Sequence, residues 1–399
     1  MGDYKGTIGI LTGGGDVPGL NPAIRAVTFR AIREGYKVIG IRRGWAGITE
    51  FIPDHSADNS ENIQLLTEIV VDKVVRTGGT FLHTSRTLPS KLPLANVPGR
   101  LKDKYKDSIN DITPDILKNL EFLGIDFLIA IGGDDTLSYA QRLHQEGVKV
   151  VAIPKTMDND VPGTDYCIGF STCITRTVEL AHNLRTCAGS HESFMVLEVF
   201  GRYAGFTAML PTMAGAASRC LIPESPFNTE HLAELLSHDY KQNPSNYSLA
   251  IISEGAMMKE QDGMIFENEE TDQFGHKRLG GIGEVVSERL KYFAPKFNNG
   301  KQIHVMYQRL GYLARSGEPD ATDSIVPMVY GNLAFDLVLN NNSGKLVNLN
   351  KGIYGNVPID VVVSKKKIVD VEQYYNTERL RPKYEGFNGN STYIITSDM

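Results

Sequence analysis

Apolar residues occur in short, unbroken runs that alternate with amphipathic stretches along the first half of the chain. The run at residues 7–11 is followed by a glycine-rich loop, a helical pattern over residues 21–34 and a second apolar run at residues 37–41. This order predicts a strand, a helix and a second strand. We expect Asn21 to cap the helix, because an asparagine side chain can accept a hydrogen bond from a free backbone N–H group.

The pattern returns twice further along the chain. The later predicted elements are a strand at residues 127–131, a helix at 137–146 and a strand at 148–153, followed by a helix at 172–184 and strands at 194–199 and 248–252. Unbroken apolar strands followed by helices are typical of parallel sheets that are covered on both faces. The sequence therefore predicts the α/β class.

The length of 399 residues favours two packed lobes, and hence a cleft, over a single core. The charged stretch at residues 259–277 is predicted to be an exposed excursion. The chain after residue 341 alternates short strands and polar turns, and its last thirty residues are expected to wrap around the rest as an accessory segment.

Composition excludes some classes of protein. Apolar residues make up 41% and charged residues 22%, which is ordinary for a globular protein. The net charge of −6 gives no general attraction to nucleic acid or anionic lipid. Because we find no signal segment and no run able to span a bilayer, we expect a cytoplasmic protein without a membrane or nucleic-acid partner. The four cysteines lack metal-ligand spacing, which favours reduced thiols.

Two glycine-containing loops follow predicted strands. In the first, residues 13–16, backbone amides can approach a phosphate where no side chain intervenes, and the following helix adds a favourable dipole. In the second, Asp134 and Asp135 stand beside Thr136, and such oxygens suit Mg²⁺. Taken singly, the first loop could be a structural turn and the second a helix cap.

A third loop places Lys155 and two carboxylates, Asp158 and Asp160, within six residues. A general base and a phosphate-binding cation could coexist there. Arg86 and Arg202 each follow a glycine-containing turn, and arginine is suited to bridging phosphate groups. An isolated arginine is usually solvated, so these two gain weight only from the neighbouring loops.

In their order and spacing these loops resemble the phosphofructokinase family over residues 7–339. The resemblance implies two Rossmann-like lobes with mainly parallel sheets, and oligomers whose substrate sites borrow residues from a neighbouring subunit. It predicts a phosphoryl-donor lobe from residues 1–155 plus about 315–345, a sugar-phosphate lobe from 156–314 and a C-terminal accessory extension from 346–399. We expect a homodimer or homotetramer.

The same resemblance implies roles for individual residues. Asp158 corresponds to the base that deprotonates the C1 hydroxyl of the sugar, Asp160 supports it, and Asp134 is linked to Mg²⁺. The implied catalytic residues are Asp158, Asp160, Thr156, Arg86 and Lys155. The implied donor-binding residues are Gly14, Gly15, Asp135, Thr136 and Lys155. The implied substrate-binding residues are Thr156, Asp158, Ser193, Phe200, Gly201, Arg202, Glu254, Arg309, Tyr312 and Arg315.

Several positions favour pyrophosphate over ATP as the donor. Members that use ATP typically carry glycine where this chain has Asp135 and Lys155. The carboxylate would repel a nucleotide α-phosphate, while the lysine can hold the end of pyrophosphate that remains. Tyr139 replaces a glycine near the nucleotide, and Arg42 replaces an aromatic residue that packs on adenine.

The acceptor is less closely defined, because Ser193 stands where the family commonly has an arginine and Tyr312 where a histidine often binds the 6-phosphate. Arg309 is a possible substitute cation. Fructose 6-phosphate is the leading acceptor, with 6-deoxy-6-sulfofructose and sedoheptulose 7-phosphate as alternatives. Other readings are an ATP-dependent enzyme and an inactive sugar-phosphate-binding regulator. A dinucleotide-dependent oxidoreductase is disfavoured, since residues 13–19 lack the GxGxxG pattern.

Overall fold

The computed structural model describes residues 4–261, 263–271 and 277–388. The helices in these residues are α1 (Leu20–Arg33), α2 (Trp45–Glu50), α3 (Glu68–Asp72), α4 (Thr113–Phe122), α5 (Asp134–Gln145), α6 (Phe170–Ser190), α7 (Phe206–Met213), α8 (Thr229–Gln242), α9 (Ile282–Phe297), α10 (Thr322–Leu339), α11 (Val361–Ser364) and α12 (Val371–Tyr374). Within the described residues, none of the helices combines the length and apolar character that a membrane crossing requires.

The strands carry most of the residues that were predicted to be extended. They are β1 (Thr7–Thr12), β2 (Lys37–Ile41), β3 (Ile63–Leu65), β4 (Leu92–Pro93), β5 (Ile109–Asn110), β6 (Phe127–Gly132), β7 (Val150–Pro154), β8 (Ser193–Val199), β9 (Arg219–Leu221), β10 (Ser248–Ser253), β11 (Phe266–Thr271), β12 (Lys277–Leu279), β13 (His304–Arg309), β14 (Lys345–Asn350), β15 (Ile353–Pro358), β16 (Tyr375–Asn376) and β17 (Arg381–Pro382).

Two larger sheets organise the described chain. The first has the strand order β15-β14-β7-β6-β1-β2-β3 and is parallel except for the edge strands β15 and β3. The second has the order β13-β8-β10-β9 and is parallel throughout. This arrangement confirms the predicted α/β class with mainly parallel sheets. The predicted lobe boundaries remain a prediction.

Both faces of each sheet are covered, as the unbroken apolar strands indicate. On β6, Ile129 faces a core that also contains residues of β8, while Leu128 faces a separate core on the other side of the first sheet. On β8, Met195 joins the shared core and Phe194 faces a third core under α8 and α9. Because helices fill both sides, the free edges available for a ligand are the strand ends.

The start of α1 differs from the prediction. The helix begins at Leu20, and the capping position is taken by Gly19, whose φ of 106° is in the left-handed region that favours glycine. Asn21 lies inside the first turn, and its side chain donates to the Thr77 carbonyl and accepts from the Phe81 backbone N–H. It therefore ties the segment before Arg86 to the helix and is not a cap.

Part of the tail pairs with the first sheet, and the accessory role of residues 346–399 stays a prediction. β14 pairs with β7 and β15 pairs with β14, so residues 345–358 extend the first sheet. Farther on, the Cys220 backbone N–H donates to the carbonyl oxygen of Leu380, next to the second sheet. The predicted excursion at residues 259–277 contributes β11 and the start of β12, which pair antiparallel, although residue 262 and residues 272–276 lie outside the described part.

Candidate active site

A cavity of about 180 Å³ lies where strands of both sheets end. Most of its lining comes from the loops that follow the carboxyl ends of β1, β6 and β7 in the first sheet and β8 and β10 in the second, and Arg86 and Arg315 complete it. The lining residues are Gly14, Gly15, Val17, Arg86, Gly133, Asp134, Asp135, Thr136, Lys155, Thr156, Met157, Asp158, Asp160, Phe200, Arg202, Tyr203, Glu254 and Arg315. Carboxyl ends of parallel strands are the usual place for a ligand in open α/β sheets.

The first two loops are fixed against each other by a buried threonine. A Cβ atom added at Gly13 would lie 2.5 Å from the Thr136 Oγ1 atom, and one added at Gly132 would lie 2.4 Å from the Thr136 Cβ atom. The Gly13 N–H donates to the Ile131 carbonyl at 3.0 Å, so the loop after β1 follows the end of β6 closely. Only glycine permits this approach, which leaves the backbone of residues 14 and 15 facing the cavity.

Lys155 lies beneath this glycine loop. Its side chain is 3% exposed, and its Nζ atom donates to the Gly15 carbonyl at 2.5 Å. Burial lowers the pKa of the Lys155 ammonium to about 8, and the neighbouring cations Arg315 and Arg86 act in the same direction, partly opposed by Asp16. An anion bound by the glycine loop would therefore lie close enough to this ammonium to neutralise its charge.

The carboxylates after β7 lie on a tight turn. Asn159, between Asp158 and Asp160, has a left-handed φ of 55° and is fully buried. Its side chain donates to the Asp165 carbonyl at 2.9 Å and accepts from the Cys167 N–H at 2.8 Å. Asparagine tolerates this backbone conformation better than most residues, and the two hydrogen bonds hold the turn in it.

Both carboxyls of this turn are harder to ionise than usual. Loss of water raises the pKa of Asp158 well above its ordinary range, and the negative charge of Glu254 adds to the effect. Loss of water also raises the pKa of Asp160, with Asp158 and Asp134 contributing. In the described residues, the Asp158 Oδ1 atom is enclosed and has no hydrogen-bond partner, while Oδ2 accepts from the Arg202 N–H at 3.5 Å. An enclosed carboxyl with a raised pKa has the properties of a general base.

Arg315 connects the two sides of the cavity. It is 8% exposed, and its guanidinium carbon lies 5.3 Å from the ring centre of Phe200 and 4.8 Å from that of Tyr312. Its Nη2 atom lies 3.6 Å from a carboxylate oxygen of Asp16, and its Nη1 atom lies against Gly15. The two aromatic rings thus hold this cation between the two sides of the cavity.

Some predicted sugar-binding residues lie outside the cavity lining. Arg309 pairs with Glu198 at 3.3 Å and with Glu254 at 3.8 Å, so it orients the carboxylate that does line the cavity. Ser193 is buried at the start of β8, where its hydroxyl donates to the Ala188 carbonyl at 3.2 Å. Tyr312 reaches the cavity only through Arg315 and is 66% exposed. Gly201 is also absent from the lining.

The other predicted site residues line the cavity, together with four that the sequence reasoning did not select. These are Val17, Gly133, Met157 and Tyr203. Tyr203 is 47% exposed and follows Arg202, so a search for aromatic neighbours of the selected arginine would have found it. Val17 and Met157 lie in or beside loops already selected, but an apolar side chain there carries no chemical signal.

No cluster of three or more metal-ligating side chains occurs in the described residues. A Mg²⁺ ion does not need one, because it commonly binds one or two carboxylates and takes its remaining ligands from water and substrate phosphates. Asp134 meets this requirement. It is exposed at the cavity, and its Oδ1 atom accepts only the adjacent Asp135 N–H among the hydrogen bonds found there.

The comparison with known proteins identifies the family of this chain. The phosphofructokinase family model matches residues 7–338. The chain belongs to the phosphofructokinase family. It is 36% identical, over 92% of its length and 96% of the relative, to a pyrophosphate–fructose 6-phosphate 1-phosphotransferase of Dictyoglomus thermophilum. It is 34% identical, over 92% of its length and 97% of the relative, to an ATP-dependent 6-phosphofructokinase of Mycobacterium tuberculosis. Overall identity therefore places the chain in this family of phosphotransferases without separating donors.

Solved structures show the same fold. A pyrophosphate-dependent phosphofructokinase from Marinobacter aquaeolei matches with a TM-score of 0.72 and 17% identity, over 98% of this chain and 94% of that chain. The phosphofructokinase of Pichia pastoris in the T-state matches with a TM-score of 0.72 and 25% identity, over 91% of this chain. This chain spans 36% of the length of the Pichia chain.

Proposed function

We propose that this protein transfers a phosphoryl group reversibly from pyrophosphate to the C1 hydroxyl of fructose 6-phosphate, giving fructose 1,6-bisphosphate and phosphate. The observation that carries the proposal is the shared cavity, in which an enclosed carboxyl, Asp158, faces loops with the backbone and cations that phosphate requires. Relatives that share about a third of their residues with this chain carry this activity in their names.

The chemistry follows from these groups. Asp158 takes the proton of the C1 hydroxyl, and the C1 oxygen forms a bond to the terminal phosphorus of pyrophosphate. The bond from that phosphorus to the bridging oxygen breaks, and phosphate leaves. Such a transfer needs alignment and charge neutralisation more than covalent participation by the protein. Lys155 and Arg86 supply positive charge at the donor, while Asp160 and Thr156 lie beside the base.

Mg²⁺ is part of the proposal, with Asp134 as its protein ligand. When bound with pyrophosphate, the ion would neutralise phosphate oxygens and so favour attack on phosphorus. Gly15, Thr136 and Asp135 line the cavity and can contact the donor, whereas the Gly14 N–H already donates to the Ser85 carbonyl at 3.0 Å.

The choice of pyrophosphate over ATP depends on local features, because relatives with both donors have similar identity. Lys155 fills the space below the glycine loop, and Asp135 lines the cavity at the start of α5. The Tyr139 ring is 1% exposed and packs at 4.9 Å against Trp45 in the core. We infer that the carboxylate repels a nucleotide α-phosphate, while Tyr139 and Trp45 fill volume that a smaller residue would leave open.

Fructose 6-phosphate remains the leading acceptor in this proposal. Arg202, Glu254 and Arg315 line the cavity and can bind the sugar phosphate. Arg309 is paired with carboxylates, so its charge is offset before any substrate arrives. This observation keeps the sulfonated hexulose and sedoheptulose 7-phosphate as acceptors to be compared.

We further propose a homodimer or homotetramer in the cytoplasm. Tyr312 and Leu313, next to the cavity residue Arg315, are 66% and 55% exposed. Apolar surface at this place is suited to a second subunit that would complete the sugar end of the site. Light scattering of the purified protein measures the assembly, and a monomer at assay concentration would overturn this part.

The test of the function is a coupled assay with Mg²⁺, in which pyrophosphate or ATP is combined with each of the three acceptors. We expect turnover with pyrophosphate and fructose 6-phosphate to exceed every other pair. Turnover with ATP alone would overturn the donor assignment, and a different best sugar would overturn the acceptor. If no pair reacts, isothermal titration with fructose 6-phosphate tests the alternative that the protein is an inactive regulator. In that case the Asp158→Ala variant should bind fructose 6-phosphate as tightly as the unaltered protein.

A further inference from the structure

The segment that follows β15 and α11 contains three consecutive lysines at residues 365–367. Lys365 and Lys366 are exposed, whereas Lys367 is only 2% exposed. Its ammonium donates to the Asp165 carbonyl oxygen at 3.2 Å and lies 5.6 Å from the ring centre of Phe206. This residue lies beyond the stretch that the family model matches, residues 7–338.

A buried ammonium is stable at this position only if nearby negative groups offset the cost of removing it from water. Taking an ion out of water costs several kcal/mol, and burial lowers the pKa of Lys367 accordingly. A methionine would fill similar volume without that cost. The surroundings supply the compensation, since the negative charges of Asp165 and Asp160 both favour the protonated form.

The Asp165 carbonyl group links Lys367 to the catalytic turn, residues 158–160. The Asp165 carbonyl oxygen accepts from the Lys367 Nζ atom at 3.2 Å and from the Asn159 Nδ2 atom at 2.9 Å. Asn159 is fully buried between Asp158 and Asp160 and has the left-handed φ of 55°. Lys367 is therefore connected to the turn through one shared acceptor and does not line the cavity.

The cavity carries more acidic groups than a site for anions would be expected to need. Its carboxylates are Asp134, Asp135, Asp158, Asp160 and Glu254. Repulsion from Asp158 and Asp134 opposes the ionised form of Asp160, and Lys367 favours it. Because Lys367 is not itself a lining residue, it can offset this charge without occupying space that substrates need.

A backbone hydrogen bond two residues after Lys367 anchors this part of the chain. The Val369 N–H donates to the Glu224 Oε1 atom at 2.8 Å, and the same oxygen accepts the Gly205 N–H at 3.0 Å. Gly205 is the residue before α7, directly after the cavity loop that contains Arg202. Glu224 thus joins the C-terminal extension to the part of the chain that forms the sugar side of the cavity.

We propose that Lys367 is a positioning residue, supplied by the C-terminal extension, that offsets the charge of Asp160 and so keeps the Asp158–Asp160 turn in the geometry needed for proton removal. The inference rests on the proposed function, because it assigns Asp158 as the base. It gives the C-terminal extension, which lies beyond the residues that the family model matches, a part in the active site.

The test compares Lys367→Met with Lys365→Met, an exposed lysine two residues away, in the steady-state assay with the donor and acceptor that serve the unaltered protein. We expect Lys367→Met to lower kcat on the order of tenfold, with KM for either substrate changed less than about twofold, because a small displacement of a catalytic group is costly while binding groups are untouched. Lys365→Met should match the unaltered protein. Equal kcat for Lys367→Met and the unaltered protein would overturn the inference.

A double-mutant cycle separates this role from a purely structural one. In an Asp160→Asn background there is no charge to offset, so adding Lys367→Met should lower kcat by less than about twofold. A tenfold loss in both backgrounds would contradict action through Asp160. If Lys367→Met does not fold, judged by circular dichroism, Lys367→Gln takes its place in the cycle. Absence of turnover in the unaltered protein would overturn the proposed function and is thereby distinguished from failure of the inference.

Discussion

The two halves of the cavity are built differently. The donor half consists of residues 13–16, 133–136 and Lys155, where backbone hydrogen bonds and a buried lysine fix the loops at the ends of strands in one sheet. The acceptor half consists of residues 200–203, Glu254 and residues 309–315. In it, Arg315 is buried, Tyr203 is half-exposed, Tyr312 is exposed and Arg309 is paired with carboxylates. The difference teaches that hydrogen bonds between loops preorganise the phosphate side, whereas the sugar side also has tyrosine side chains that are open to solvent.

The catalytic turn lies between the halves, so its loss should affect turnover more than either binding step. Asp158→Asn should lower kcat on the order of a hundredfold or more, because the amide cannot accept the C1 proton. KM for both substrates should change little. Initial-rate measurements check this, with Asp336→Asn as the control, because the half-exposed Asp336 carboxylate pairs with Arg30 and does not line the cavity. A loss confined to KM would show that Asp158 binds substrate and does not act as the base.

The donor half should be sensitive to its buried cation. Lys155→Met should lower kcat/KM for pyrophosphate by about thirtyfold, because a charge-assisted contact to phosphate is lost in an enclosed place. The exposed Lys301→Met is the matched control. If the two variants have the same pyrophosphate kinetics, Lys155 is structural and the contrast between the halves fails.

The titration of Lys155 should give a smaller effect on the same half. Its pKa is lowered to about 8, so the ammonium is charged below that pH and neutral above it. KM for pyrophosphate should therefore rise up to about tenfold from pH 7 to pH 9. The Lys155→Arg variant keeps its charge over this range, so any change in its KM with pH reports the ionisation of pyrophosphate itself. Parallel profiles for the two proteins would exclude Lys155 as the titrating group.

The acceptor half should respond weakly to any one exposed residue. Tyr312→Ala removes a ring 4.8 Å from the Arg315 guanidinium, an interaction worth about 1 kcal/mol, so KM for the sugar should rise about fivefold. KM for pyrophosphate should change less than about twofold. Tyr292→Ala, at a 78% exposed tyrosine on α9, is the control. A larger change for pyrophosphate than for sugar would place Tyr312 with the donor half.

The parallel sheets could be predicted because their signal is local. Strands such as β6 are apolar on both faces, and each is followed by a helix, so a run of consecutive residues identifies them. The cap of α1 was predicted wrongly at Asn21, since its hydrogen-bonding partners lie about sixty residues along the chain. Sequence spacing cannot show that a polar side chain has a better partner far away.

The same distinction between local signals and distant partners applies to the candidate site. The donor loops were predicted because each carries its chemistry within a few consecutive residues. The pairing of Arg309 with Glu198 depends on β13 lying beside β8 in the second sheet, which no local pattern reveals. Lys367 was missed because a run of three lysines indicates a solvated surface, and only the packing of the extension buries the third.

The close packing around Thr136 also constrains how this sequence can evolve. Gly13 follows β1 and Gly132 ends β6, yet a side chain at either would overlap the same threonine. Substitutions at the three positions are therefore epistatic: the threonine must become smaller before either glycine can be replaced. A lineage that explores new donors is expected to change position 136 first, and libraries that vary the glycine loop alone would recover almost only glycine at position 13.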